Sequence, residues 1–154
     1  MSDGDKEEIL VARVFEAPPE LVYRMFVDAD QLGQWFGPEG MSVPFESVEV
    51  DARPGGFLRL VMVSDEDPTI RSAVNATFSE VVENRVLVGH EDVDEPGRPD
   101  SHRLHLRLEF HDEPGGRTLL ELRQGPFPDE VAGQARTGWE SSFTKLDDLL
   151  ARSL

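Results

Sequence analysis

Two large aromatics stand side by side at Trp35 and Phe36, inside the segment Gln31-Leu-Gly-Gln-Trp-Phe-Gly-Pro38. The pair follows a short helix-like stretch and precedes a long series of strand-like ones. A second tryptophan, Trp139, lies in a helix-like C-terminal stretch. Rings of this size need burial or a ligand, because covering each removes a large apolar area from water. Their positions at opposite ends of a small chain point to a space between a helix and a sheet.

The chain has 154 residues, a length that suits one domain with its own core. Residues 1–7 are polar and acidic and are expected to form a disordered N-terminal tail, leaving a single domain over 8–154. With 15 basic and 31 acidic residues the net charge is −16, which disfavours nucleic acid and anionic membrane surfaces as partners. The absence of cysteine excludes disulfides, thiolate metal sites and cysteine nucleophiles. The N-terminus lacks a signal-peptide pattern, and no apolar run reaches the roughly 20 residues that span a bilayer, so a cytoplasmic location is expected.

Along the chain, Glu8 to Phe15 reads as a strand. Ala17-Pro18-Pro19-Glu20 opens a helix whose buried face carries Leu21, Val22, Met25 and Phe26, and Asp30 is placed to cap a second short helix ending at Trp35. Strands follow near 44–51, 56–63, 71–82, 85–91, 102–111 and 116–124, with Glu83-Asn84 as a two-residue hairpin. Asp92 to Ser101 is the longest expected loop and the candidate mobile rim. After a loop at Gly125-Pro126-Phe127-Pro128, a helix runs from about Asp129 to Arg152 with Val131, Ala135, Trp139, Phe143, Leu146 and Leu150 as one apolar stripe. The helix stripe and one sheet face must bury each other, which gives an α+β class with an antiparallel sheet curled around the terminal helix.

Several ordered pieces carry a family likeness. They are Arg13-Val-Phe15-Glu-Ala17-Pro18-Pro19-Glu20-Leu-Val22-Tyr23, then Leu32 with Trp35-Phe36-Gly37-Pro38, then Glu49-Val-Asp51-Ala-Arg53-Pro-Gly55-Gly56. Phe78-Ser-Glu80-Val81 and Gly138-Trp139 complete the set. Over about residues 8 to 152 the chain resembles the activator of Hsp90 ATPase homologue 1-like family of the START-like, or SRPBCC, superfamily. The resemblance implies the helix-grip fold: a curved antiparallel sheet wrapped around a long C-terminal helix, with two short helices after the first strand. It also implies a functionally mixed group of small-molecule binders, cyclases, resistance proteins and a co-chaperone domain. One departure is Ala76, which stands two residues before Phe78 where the family usually has glycine on its fourth strand.

The expected function is binding of a small, largely hydrophobic molecule, without a cofactor. Trp35, Phe36, Phe78, Trp139 and Phe143 would line the cavity and His90, near the end of an apolar strand, would orient the ligand. Aromatics at such spacing usually fill cores, so the sequence leaves open whether these rings border a void or close it. Gly133, Gly138, Ser141 and Ser142 on the last helix leave volume beside them. Arg59 or Arg107 would pair with an acidic ligand if either faced inward, although strand charges generally face water. His102 and His105 point to opposite strand faces and His105 and His111 are far apart, so no metal site is expected. Glu49, Asp51, Glu80, Glu109 and Glu121 read as surface charges. There is no Gly-x-Ser-x-Gly elbow or phosphate-cradling loop. The alternatives are a cyclase- or hydrolase-like enzyme in the same cavity and a co-chaperone-like interaction module. An exposed sheet edge offers a route to a homodimer.

Overall fold

The computed structural model describes residues 6–93 and 102–153. In chain order the elements are β1 (Lys6–Phe15), α1 (Pro19–Val27), α2 (Ala29–Trp35), β2 (Met41–Ser42), a short 3-10 turn (Phe45–Ser47) and β3 (Glu49–Val50). They continue with β4 (Phe57–Ser64), β5 (Arg71–Val82), β6 (Val86–Val93), β7 (His102–Glu113), β8 (Arg117–Pro128) and α3 (Asp129–Ser153). The strands form one antiparallel sheet in the order β1-β8-β7-β6-β5-β4-β2, with β3 paired to β4. The sheet curves around α3. This is the α+β helix-grip fold.

Strand periodicity explains which side chains meet the helix. On β1, Ile9, Val11 and Phe15 are buried while Leu10 and Val14 are exposed, the alternation a one-sided sheet requires. Arg13 shares the inward parity and forms an ion pair with Asp147 of α3. The helix buries Ala132, Phe143, Leu146, Leu149 and Leu150, and Phe15 meets Phe143 edge-on at 5.5 Å between ring centres. Val131 is only partly buried: the stripe begins one residue later, at Ala132. At the other end of the core, Phe110 on β7 receives Tyr23 and Phe26 of α1 edge-on.

Some local expectations are corrected. Lys6 and Glu7 belong to β1 because they pair with Pro128 and Phe127, so the strand starts earlier than Glu8; residues 1–5 lie outside the described ones. The same pairing, with His105 opposite Gly125, carries β8 through the segment expected to be a loop and directly into α3. The strand expected at 44–51 is broken by the 3-10 turn. There Ser47 Oγ–H donates to the Pro44 carbonyl and accepts from Val61 N–H, taking the place of a ladder bond. The cap of α2 is Asp28, whose carboxylate accepts the Asp30 N–H at 2.9 Å; Asp30 lies inside the helix. The β5–β6 turn has three residues, 83–85, and Asn84 takes the left-handed conformation at φ 65°. Strands β6 and β7 reach to Val93 and from His102, so the expected rim loop falls largely on residues 94–101, outside the described ones.

Candidate functional site

Helix α3 packs mainly against β1, and less against β8, and it makes no comparable contact with β4, β5 or β6. The inner faces of those central strands therefore stand away from the helix. Between them and α3 lies a cavity of about 470 Å³. Its sheet wall carries Leu58, Met62, Val74, Phe78, Leu87, Leu104 and Leu106, and its helix wall carries Ala135, Gly138, Trp139 and Ser142. Phe26, Leu32, Phe36 and Pro38 close one end.

Small residues keep this space open. Ser72 and Ala76 line it from β5, so the departure from glycine at 76 preserves a low-volume wall. Gly89 lies opposite Phe78, where β5 bulges between Phe78 and Glu80. A Cβ on Gly89 would sit 2.6 Å from the Thr77 carbonyl oxygen, so close strand approach there requires glycine. On α3, a Cβ on Gly138 would meet nothing within 4 Å. Gly133 is exposed and Ser141 Oγ accepts the Glu39 N–H at 2.8 Å, so of the four small helix residues only Gly138 and Ser142 border the void.

The six candidate residues divide. Phe36, Phe78 and Trp139 line the cavity. Trp35 and Phe143 are 0% exposed and stand behind that wall as core. The four rings of the helix side are contiguous: Trp35 to Phe36 at 5.7 Å, Phe36 to Trp139 at 5.6 Å, Trp139 to Phe143 at 5.7 Å and Phe143 to Trp35 at 6.2 Å. Trp139 Nε1–H donates to Gln124 Oε1 at 2.7 Å, which fixes the plane of the ring against β8. His90 pairs across β6–β7 with His105, their rings 6.4 Å apart on the outer face between the inward Leu104 and Leu106. By strand parity its imidazole points to the outer face, although the residue itself borders the cavity.

The charged side chain that reaches inward among the described residues is Glu91, which shares its parity with Leu87 and Gly89. The β5–β6 ladder stops at the Thr77–His90 pair, and beyond it the Asn75 N–H donates to Glu91 Oε2 at 3.1 Å. Burial pushes the Glu91 carboxyl above its ordinary range, and the Asn75 hydrogen bond pulls it only part of the way back. The folded chain thus holds this proton at pH values where the unfolded chain has lost it. Stability from this group is full below the ordinary glutamate pKa and declines as pH rises through the folded value. Glu91→Gln, which stays neutral, is expected to gain stability over the native chain progressively as pH rises from the ordinary glutamate range through the raised folded value. Urea unfolding of both proteins across that range checks it; a constant difference would mean that Glu91 is solvated.

Arg59 and Arg107 face outward. Arg59 stacks over Phe57 and lies 3.9 Å from Glu49, while Arg107 reaches Glu109 at 2.5 Å and Glu80 at 3.9 Å. On the same outer face Glu109, His111 and Glu121 bring three potential metal-ligand atoms within 4.8 Å of one another. Histidine spacing along the chain does not reveal this group, since two of its members are carboxylates and one comes from the neighbouring strand. Its charge is already offset: Arg107 holds the Glu109 carboxyl below its usual range, and His111 Nε2 lies 2.9 Å from Glu121.

The family described as Activator of Hsp90 ATPase homolog 1-like protein matches residues 16–151. The chain belongs to this family. No curated protein sequence matches it. Among solved structures, a Chromobacterium violaceum protein is 28% identical with a TM-score of 0.80, the likeness covering 92% of this chain and 95% of that one. The AHSA1 protein of Silicibacter pomeroyi is 26% identical with a TM-score of 0.81, over 96% of this chain and 100% of the other. A Staphylococcus epidermidis protein solved by NMR, at 24% identity and a TM-score of 0.74 over 97% and 92% of the two chains, shares the fold. Membership of the activator of Hsp90 ATPase homolog 1-like family agrees with both ligand-binding and co-chaperone-like roles. Among the described residues no helix is long and apolar enough to cross a membrane.

Proposed function

We propose that this chain binds a small, largely hydrophobic molecule between the curved sheet and α3, without covalent chemistry. The observation that carries the reading is the wall composition: a void of about 470 Å³ bordered by Leu, Val, Met, Phe and Trp side chains, in a chain of net charge −16. A space of that size falls within the range of small-molecule sites. Phe36, Phe78 and Trp139 supply contact area, with Trp35 and Phe143 supporting them from behind. Acid–base catalysis needs two polar groups converging on one reacting centre. Glu91 stands without a second titratable side chain among the described cavity residues that point inward, which favours binding over reaction.

Native mass spectrometry of freshly expressed protein, joined to a thermal-shift screen of apolar compounds, tests the proposal. A co-purifying molecule, or a compound that raises the melting temperature with its concentration, is the expected result; at about 100 times its Kd a ligand adds roughly 2.7 kcal/mol. An empty protein that no compound stabilises would sink it and favour a co-chaperone-like interaction surface.

A further inference from the structure

The charges around the cavity are distributed unevenly, and the unevenness selects a ligand. Arg59, Arg103, Arg107 and Arg123 on β4, β7 and β8 are each paired with a carboxylate away from the void. No lysine or arginine lines the cavity among the described residues. Among the described residues the one charged side chain on its wall is Glu91, at the point where β5 and β6 part. Its Oε2 accepts the Asn75 N–H, and Oε1 takes no hydrogen bond from the described residues. Gln124, the other large polar wall group, is neutral and has its Oε1 occupied by Trp139.

Resting on the apolar-ligand reading, we infer that the occupant carries a basic nitrogen on its apolar body, and that Glu91 Oε1 receives it. A protonated amine there makes a charge-assisted hydrogen bond in a site poor in water. An approaching cation also restores the ionised form that burial disfavours at Glu91. A carboxylic acid would set a second negative group beside the first, with no cation on the described wall to receive it. The overall charge of −16 acts in the same direction, drawing cations and repelling anions from a distance.

Three compounds with one ring system test this: naphthylmethylamine, naphthylmethanol and naphthoic acid, titrated calorimetrically against the native chain and Glu91→Gln at neutral pH. The native chain is expected to bind the amine at least about tenfold more tightly than the acid, the alcohol falling between. Glu91→Gln should erase the amine's advantage and leave the alcohol within about twofold. Repeating the series at high salt screens the long-range field but leaves the buried contact largely intact. Equal affinity for all three compounds would overturn the head-group inference while the apolar-ligand reading stands. An amine preference that survives in Glu91→Gln, or disappears at high salt, would overturn it too. If none of the three binds, both readings fall. Should Glu91→Gln fail to fold, the native-chain series at the two salt concentrations still decides.

Discussion

Replacing Trp35 with alanine is expected to cost about 3–5 kcal/mol of stability, whereas Trp139→Ala should cost less and act chiefly on ligand affinity. Trp35 is 0% exposed, and its Nε1–H donates to the Met25 carbonyl at 3.0 Å. Its ring packs against Phe26 at 4.8 Å and against Phe36 and Phe143 at about the spacing aromatic pairs prefer. Removing it takes out the joint between α1, α2 and α3 and leaves a void that rigid neighbours cannot close. Trp139 is half-buried because one side of its ring faces the cavity. Truncation there enlarges an existing space, so about 1–3 kcal/mol is expected, with affinity for an apolar ligand falling about tenfold or more. Denaturant unfolding of both variants, and titration of Trp139→Ala with a thermal-shift hit, separate the roles. Equal stability losses with unchanged affinity would move Trp139 out of the wall and into the core.

That contrast marks how far the residues alone could be read. The long helix, the two short ones and most of the strands follow from periodicity, since apolar spacing of three and four or of two is what burial on one face imposes. The site was harder because adjacent residues exchange roles. Val86, Leu87 and Val88 are all apolar, so the alternation on β6 does not reveal which parity faces in. The ladder with β7 settles it: Leu87, Gly89 and Glu91 point inward and His90 outward beside His105. A register difference of one residue interchanges a histidine and a glutamate at the same place in the chain. Trp35 and Phe36 pose the same problem at the end of α2. The helix carries Trp35 into the core, and the extended backbone of Phe36 swings its ring to the cavity. Glu91 was legible only as one acid among many, because desolvation is a property of the assembled walls.

Filling the cavity from the helix should separate stability from binding in opposite directions. Gly138 sits in the interior of α3, where glycine costs about 1 kcal/mol relative to a good helix former such as leucine. A Cβ at this position meets nothing within 4 Å, and the residue borders the void. Leucine there gains helix propensity and places its side chain among apolar neighbours, so Gly138→Leu is expected to raise stability by about 1–2 kcal/mol. The same side chain occupies space beside Trp139, so an apolar ligand should lose most of its affinity. Destabilising variants cannot make this distinction, because a weakened fold binds poorly for reasons unrelated to the site. A variant that melts at a higher temperature yet no longer binds has lost the ligand by exclusion alone. Thermal unfolding with and without a screened compound reads both effects together. If Gly138→Leu is more stable and binds unchanged, the ligand sits elsewhere, and the space between α3 and the central strands is a packing defect of the helix grip.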